Sequence, residues 1–199
     1  MSAVEPTALE ALYSDSDDPW GFRSSAYEAA KFAATADALP RRRYRSALEI
    51  GCGNGELARR IAPRCERYTG LDAVETALAA ARRAVPDGRF IKGFLPCALP
   101  EGPHDLIVLS EVLYFLDAWG IDWLAGELDR LWPEADIVVV TWRGPSGNPL
   151  EGEAALALFL AALDSGREAD TVRMERRYRI ETVRGRLVPG FGPPPVAAE

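Results

Sequence analysis

The stretch SALEIGCGNGELARR, residues 46–60, places three glycines at alternate positions between an apolar run and a segment that favours helix. The apolar run predicts a strand over residues 46–51. Gly51, Gly53 and Gly55 therefore occupy a strand-to-helix turn, where glycine permits positive φ and lets a ligand lie against the backbone. The turn predicts a ligand site at the carboxyl end of this strand.

Strand and helix patterns alternate after this turn. Further strands are predicted at 67–72, 89–94, 105–110 and 136–142, and helices at 55–62, 73–85, 119–131 and 153–164. The strands at 46–51, 105–110 and 136–142 are almost wholly apolar, as parallel strands covered on both faces are. Two alternating segments, 171–177 and 178–185, predict a closing hairpin or edge pair. The pattern predicts a Rossmann-like α/β fold, a seven-stranded, mostly parallel sheet with helices on both faces.

The chain predicts a single domain over residues 19–188. Residues 1–18 are acidic and small and are expected to form a flexible lead-in, and residues 189–199 to form a disordered tail. An S-x-x-E capping box at 25–28 starts a further predicted helix. We expect residues 19–40 to form a lid over the ligand site and to exclude water from it.

Composition excludes several classes of function. The chain of 199 residues has a formal net charge of −7, which argues against general binding to nucleic acid or to an anionic membrane. No apolar run is long enough to span a bilayer, and no secretory signal is visible. Three cysteines without a C-x-x-C pair predict neither a disulfide framework nor a zinc site, so a cytoplasmic location and no bound metal are expected.

Two acidic residues and the glycine spacing bear on the choice of cofactor. A dinucleotide site uses G-x-G-x-x-G, whereas this turn reads G-x-G-x-G and has Glu56 where a pyrophosphate would lie. Glu49 lies two residues before the first glycine, and we expect it to accept backbone N–H bonds from the turn or to lie near a cationic ligand group. Asp72 ends the second strand, 17 residues after Gly55, where a carboxylate can accept two hydrogen bonds from a ribose diol.

Several segments together resemble a known class of enzyme. LEIGCGNGEL, GLDAVETAL and HDLIVLSEVLYFL resemble, in this order, motif I and the later motifs of class I S-adenosylmethionine-dependent methyltransferases. DDPWGFRSSAYEAAKF, LSEVLYFL and TWRGPSGNPLEGE further resemble the nodulation-protein-S-like methyltransferases, over roughly residues 18–185. That family N-methylates the free amine of a de-N-acetylated chito-oligosaccharide, and its relatives have other acceptors.

The resemblance implies S-adenosyl-L-methionine as cofactor, S-adenosyl-L-homocysteine as product, and a small-molecule acceptor with an amino sugar as the leading candidate. It implies a cofactor site made of Trp20, Tyr27, Glu49, Gly51, Cys52, Gly53, Gly55, Asp72, Ala73, Phe94, Leu95, Ser110 and Val112. Phe22 is expected to join the lid, and Arg23 or Lys31 to reach the methionine carboxylate.

The sequence departs from the family pattern at two positions. The residue after the third strand is often an aspartate that binds the adenine amino group, but Phe94 and Leu95 occupy this region here. Adenine is therefore expected to be held by backbone groups and packing. Many relatives have a histidine before the Trp-Arg pair of the fifth strand, and this chain has Thr141.

Glu111 and Tyr114 are the candidate catalytic residues and also candidates for binding the acceptor. We expect Glu111 to contact the acceptor or cofactor and to remove or hold the ammonium proton, although a carboxylate paired with a helix N-terminus is the competing interpretation. Tyr114 is expected to orient the amine, or else to be a core aromatic residue. Trp142 and Arg143 are expected to form the acceptor wall, unless Trp142 belongs to the core.

Two alternatives stay open at this point. An O-methyltransferase acting on a sugar or a secondary metabolite would need a stronger base, for which the sequence offers Glu111, Asp117 or His104. A NAD-binding oxidoreductase or a non-catalytic nucleotide-binding module would bind NAD in preference to S-adenosylhomocysteine.

Overall fold

The structure, a computed structural model, describes residues 3–186. Its strands are β1 (Tyr44–Ile50), β2 (Cys65–Asp72), β3 (Arg89–Lys92), β4 (Leu106–Ser110), β5 (Asp136–Trp142), β6 (Ala169–Met174) and β7 (Tyr178–Val183). Its helices are α1 (Pro6–Leu12), α2 (Ala26–Asp37), α3 (Ala58–Ile61), α4 (Glu75–Ala84), α5 (Ala118–Leu131) and α6 (Gly152–Ala162).

The seven strands form one sheet in the order β3-β2-β1-β4-β5-β7-β6. Strands β1 to β5 pair in parallel, and β7 is antiparallel to both β5 and β6. The predicted Rossmann-like fold is therefore confirmed. The chain builds outward from β1 to β3 and then returns to place β4 on the other side of β1, so the crevice between β1 and β4 is the switch point where such sheets bind ligands.

The apolar central strands supply two cores, one on each face of the sheet. Leu48 and Ile50 of β1 pack in the core that α5 and α6 cover, and Ala47 packs in the core that α2, α3 and α4 cover. Strands β4 and β5 divide their side chains between the two faces in the same alternating way. This double coverage explains why these strands have no polar face.

Only one strand of the predicted closing hairpin, β6, lies at the edge of the sheet. Strand β6 is exposed along its length, but β7 lies between β5 and β6 and is largely buried. Its polar residues are tolerated there because they are paired: Arg179 forms an ion pair with Glu181, whose carboxylate also accepts a hydrogen bond from Thr171 at 2.9 Å.

The sequence predicts a flexible lead-in over residues 1–18, whereas the structure places helix α1 within it. Tyr13, just after α1, is buried against Val74 and Ala77 at the start of α4. The apolar contact supplies the physical reason for order in an otherwise polar segment. The predicted tail at 189–199 lies outside the described residues.

Half of the capping box predicted at the start of α2 forms, since the Ser25 side chain accepts a hydrogen bond from the Glu28 backbone N–H at 3.2 Å. The reciprocal bond does not form, because the Ser25 N–H donates to the carbonyl of Gly21 and the Glu28 carboxylate contacts Lys31. Across residues 3–186, no helix has the length and apolar character that crossing a membrane requires.

Candidate functional site

A cavity of about 440 Å³ opens at the carboxyl ends of β1, β2 and β4. Its volume lies in the range of small-molecule sites, about 300–1,000 Å³. Phe22 and Lys31 line it, as the sequence leads us to expect for the lid and the methionine carboxylate. Thirteen of the seventeen residues that the sequence assigns to the cofactor, catalytic or acceptor site also line it: Trp20, Glu49, Gly51, Cys52, Asp72, Ala73, Phe94, Leu95, Ser110, Glu111, Val112, Tyr114 and Trp142. Four others, Tyr27, Gly53, Gly55 and Arg143, are not part of its wall.

The glycine turn forms the floor of the cavity at the end of β1. The backbone N–H groups of Gly51 and Cys52 donate to the carbonyl of Leu71 at 2.8 and 3.1 Å, which fixes the turn to β2. Gly51 has a φ of 76°, and a side chain there would also come within 2.7 Å of Val112. Glycine at this position therefore lets the turn and the end of β4 approach each other closely.

Gly55 belongs to the same turn but faces helix α4 instead of Val112. Its φ is 82°, and a Cβ atom there would lie 2.8 Å from the backbone Cα of Ala81 in α4. Gly55 thus allows the turn to pack against a helix instead of against a ligand. It supports the site from behind the cavity wall.

Asp72 at the end of β2 joins the glycine turn to α4. One carboxylate oxygen accepts a hydrogen bond from the Gly53 N–H at 2.8 Å, and the other accepts from the Val74 N–H at 3.0 Å. Burial raises the pKa of Asp72, although these backbone hydrogen bonds counteract the rise. An ionised carboxylate has about four acceptor directions, so Asp72 retains capacity for a vicinal diol in the cavity.

Glu49 does not hold the turn, in contrast to one of the two expectations for it. Its carboxylate accepts a hydrogen bond from the Tyr68 hydroxyl, while Leu71 and Asp72 accept the N–H bonds of the turn. The physical reason is direction, since Glu49 shares the face of β1 on which Tyr68 packs. Glu49 is 1% exposed, and burial raises its pKa to about 8. It lines the cavity, so its expected position near a cationic ligand group stays a prediction.

Lys31 of α2 forms part of the opposite wall. Its Nζ lies 2.5 Å from Glu111 Oε2 and 2.7 Å from Glu28 Oε2, and its side chain is 1% exposed. The sequence offers Lys31 or Arg23 for a methionine carboxylate, but Lys31 is already paired with two carboxylates. Arg23 pairs with Asp17 and Asp18 and does not line the cavity.

Glu111 follows β4 in an unusual backbone conformation. Its φ is 54°, the one positive value at a non-glycine residue in the described part of the chain. Burial raises its pKa, which Lys31 counteracts. Within residues 3–186, Oε1 of Glu111 is buried and has no hydrogen-bond partner. The next helical element, Leu113–Phe115, is a single 3₁₀ turn, so a helix dipole does not explain this carboxylate.

Two further residues of the predicted acceptor wall are separated by the fold. Trp142 lines the cavity, and its indole N–H donates to the carbonyl of Pro145 at 3.2 Å. Arg143 instead donates to Glu153 and to the carbonyl of Glu175, both at 2.6 Å. Arg143 follows the last residue of β5, and these contacts explain why its side chain does not line the cavity.

An aromatic group from the N-terminal segment covers the cavity. Trp20 stacks on Phe22 with ring centroids 5.6 Å apart and meets Tyr13 edge-on at 5.4 Å. Asp18 fixes this segment to the glycine turn, because its carboxylate accepts hydrogen bonds from Asn54 at 2.9 Å and from the Phe22 N–H at 2.8 Å. The geometry is that of a cover held against the rim of the site.

Tyr27, which the sequence assigns to the same site, lies behind Lys31 instead. The Lys31 ammonium group is 5.7 Å from the centre of its ring. Sequence reasoning missed Leu9, Tyr13 and Glu28, which also line the cavity. Their helical spacing was a usable signal, since Leu9 and Tyr13 are four residues apart and Glu28 precedes Lys31 by three.

No group of three histidine, cysteine, aspartate or glutamate side chains is placed to hold a metal ion within the described residues.

Comparisons with known proteins show the family to which the sequence belongs. The family model of nodulation protein S matches residues 7–122. Nodulation protein S of Sinorhizobium fredii is 30% identical over 105 residues, which cover 51% of this chain and 49% of that protein. The chain spans about half the length of the curated relatives it matches.

Two solved structures are similar over most of the chain. A protein of Pseudomonas syringae, described as a candidate methyltransferase, is 31% identical, with a TM-score of 0.69 over 80% of this chain and 99% of that one. The N-methyltransferase NodS of Bradyrhizobium japonicum in complex with S-adenosyl-L-homocysteine has a TM-score of 0.74 at 21% identity, over 90% of this chain and 97% of that one. The second likeness shows the class I methyltransferase fold.

Proposed function

The chain belongs to the nodulation protein S family, and on that premise we propose that it transfers a methyl group from S-adenosyl-L-methionine to the amino group of a small molecule. An amino sugar or an oligosaccharide amine is the first candidate acceptor. The observation that carries the proposal is that one cavity has Asp72 and the glycine turn on one wall and Glu111, with a free carboxylate oxygen, on another.

The wall at β1 and β2 fits the cofactor. Asp72 has acceptor capacity for the two ribose hydroxyls, and Phe94 and Leu95 offer an apolar surface for the adenine ring. Glu49 lines the cavity without an ion-pair partner among residues 3–186, and in this proposal the positive end of the bound cofactor would favour its ionised form. When bound, S-adenosylmethionine supplies an activated methyl group on a sulfonium, so the protein contributes mainly position and electrostatics.

The wall at β4 fits the acceptor. An amine attacks only as the neutral base, so the ammonium form must first lose a proton. In this proposal a carboxylate oxygen of Glu111, which lines the cavity, accepts that proton and leaves the nitrogen lone pair free. When bound, S-adenosylmethionine would supply the methyl carbon to this lone pair, and the electron pair of the broken carbon–sulfur bond would stay on sulfur. Tyr114 and Trp142 line the same part of the cavity and supply surface for orienting the acceptor.

The relatives support amine methylation in particular. The family is that of nodulation protein S, and its solved member named above is described as an N-methyltransferase. A carboxylate is also better matched to an ammonium proton than to a hydroxyl proton, whose removal needs a stronger base. O-methylation of a sugar is therefore the competing outcome in any acceptor assay.

Calorimetric titration with S-adenosylhomocysteine and, separately, with NAD tests the cofactor. We expect binding of S-adenosylhomocysteine and none of NAD, and the reverse result would favour an oxidoreductase or a nucleotide-binding module. A Glu111→Gln variant tests the acceptor wall. It should bind S-adenosylhomocysteine as the wild type does and lose methyl transfer by a factor of about 10² or more. Glu101→Gln, in an exposed loop that precedes β4 at its opposite end, is the matched control.

A further inference from the structure

The side chains of Glu28, Lys31 and Glu111 form an ionic cluster beside the cavity. Lys31 is among the largest fully buried side chains of the described chain, and it contacts one oxygen of each carboxylate. An ammonium group and carboxylates out of water are costly unless they are paired with each other. The two contacts provide that pairing for Lys31.

Two glutamate side chains share one lysine. Each has one oxygen on the Lys31 ammonium group, and Oε1 of Glu111 lacks a hydrogen-bond partner in the part of the chain that the structure describes. Such an oxygen is unfavourable without a donor, because a buried acceptor forfeits its hydration. A cationic donor entering from the cavity would satisfy it.

The orientation of that oxygen is fixed from two sides. The Glu111 backbone is held at positive φ by the hydrogen bond from its N–H to the carbonyl of Val140 at 2.8 Å. Lys31 holds Oε2 of the same side chain, and the Lys31 backbone is held in turn by α2. With one oxygen held, the carboxyl group of Glu111 cannot rotate freely beside the cavity that this residue lines.

We propose that Lys31 is a positioning residue that fixes one oxygen of Glu111 and keeps this carboxylate ionised, so that the other oxygen forms a binding point for the ammonium group of the acceptor. The inference rests on the proposed function, since it identifies what the β4 wall recognises. Lys31 acts through Glu111 and does not itself contact the acceptor. The cluster thereby favours amines over neutral hydroxyl acceptors.

The groups that face Glu111 predict opposite effects for two substitutions. Lys31 opposes the protonation of Glu111, whereas Glu28 of the same helix promotes it. The Tyr27 and Phe32 rings pack around the lysine ammonium, and Tyr114 faces Glu111 from the turn after β4. Lys31→Gln should therefore raise the titration midpoint of Glu111, and Glu28→Gln should lower it.

The midpoint can be measured without any acceptor. Protein labelled with ¹³C at the glutamate carboxyl groups is titrated by NMR, and the Glu111 signal is assigned from its loss in Glu111→Gln. We expect Lys31→Gln to raise the midpoint by about 1 pH unit or more, Lys31→Arg to restore most of the wild-type value, and Glu28→Gln to lower it. Equal midpoints in the wild type and Lys31→Gln would overturn the proposal. If Lys31→Gln does not fold, the direction in which Glu28→Gln moves the Glu111 midpoint tests the proposal instead.

Glucosamine probes the ammonium site in the same experiment. Added to protein saturated with S-adenosylhomocysteine, glucosamine should lower the Glu111 midpoint further, because a bound ammonium group stabilises the ionised carboxylate. N-acetylglucosamine, which has no free amine, is the matched control and should leave the midpoint unchanged. No difference between the two sugars would overturn the assignment of the ammonium site.

These readouts separate the inference from the function on which it rests. If S-adenosylhomocysteine does not bind, the proposed function fails while the midpoints of the variants still report on Lys31. If methyl transfer occurs, the acid limb of its pH–rate profile should move upward in Lys31→Gln and downward in Glu28→Gln. An unmoved limb in both variants would assign Lys31 a purely structural role and contradict the proposal.

Discussion

At the scale of single residues, Asp72 is the side chain on which the cofactor wall depends. Its two oxygens join the glycine turn to the start of α4, and the same carboxylate faces the cavity. Its place in the cofactor site could be predicted from the sequence, because a carboxylate at the end of the second strand has few other functions. Its hydrogen bond from the Gly53 N–H could not be predicted, because the sequence does not show which backbone groups of the turn face Asp72.

We expect Asp72→Asn to weaken binding of S-adenosylhomocysteine by about 10- to 100-fold, since charged hydrogen bonds contribute about 1.5–3 kcal/mol. Asp105→Asn is a matched control. Asp105 also accepts two backbone N–H bonds, from Arg45 and Ser46, but it directly precedes β4 at the amino ends of the parallel strands, away from the cavity. Calorimetry should give the Asp105→Asn variant the affinity of the wild type, and equal losses in both variants would contradict the role of Asp72.

Glu49 predicts how stability depends on pH. Its folded pKa is about 8, above the ordinary value of 4.5, so the folded protein keeps a proton that the unfolded chain releases. The stability that this proton provides is complete below about pH 4.5 and is lost as the pH rises through about 8. Glu49→Gln stays neutral, so its melting temperature relative to the wild type should rise by about 4 °C or more between pH 5 and 9. Glu66→Gln, on an exposed part of β2, should show no such trend.

At the scale of elements, the turn between β1 and α3 depends on how closely it approaches α4. The strand-turn-helix order could be predicted from the glycines and from the apolar run before them. The reason for Gly55 could not, because its partner Ala81 lies on a helix whose position only the folded sheet determines.

Gly55→Ala should lower the free energy of unfolding by about 2–4 kcal/mol, because it combines positive φ with a contact to the α4 backbone. Gly126→Ala is the matched control, since Gly126 is an exposed position inside α5 where a Cβ meets nothing within 4 Å. That substitution should raise the free energy of unfolding by about 0.5–1 kcal/mol. Urea denaturation of the two variants measures both values, and a neutral Gly55→Ala would contradict the close packing.

At the scale of the whole molecule, the sheet brings together residues that the sequence keeps apart. The apolar strands were sufficient to predict the parallel sheet, because only double coverage produces runs without a polar face. The Lys31–Glu111 ion pair could not be predicted, since its members are 80 residues apart and ordinary exposed charges look the same in sequence. Arg143 does not line the cavity although it is adjacent to Trp142 in sequence, because its guanidinium group is held by Glu153 and the carbonyl of Glu175.

The N-terminal cover links this architecture to cofactor binding. Trp20 is 45% exposed and lines the cavity, whereas Trp119 on α5 is 65% exposed and does not. Trp20→Ala should weaken binding of S-adenosylhomocysteine by about tenfold, and Trp119→Ala should not change it. Titration calorimetry on both variants makes the comparison. Unchanged affinity in Trp20→Ala would show that the cover does not contribute to the cofactor site.

The measurement that tests the central claim most directly is methyl transfer from labelled S-adenosylmethionine to a matched pair of acceptors, a de-N-acetylated chito-oligosaccharide and its fully N-acetylated form. Mass spectrometry then locates the methyl group. We predict label on the nitrogen of the free-amine oligosaccharide and none on the acetylated form. Label on a hydroxyl oxygen of either acceptor, or equal labelling of both, would contradict amine methylation at Glu111.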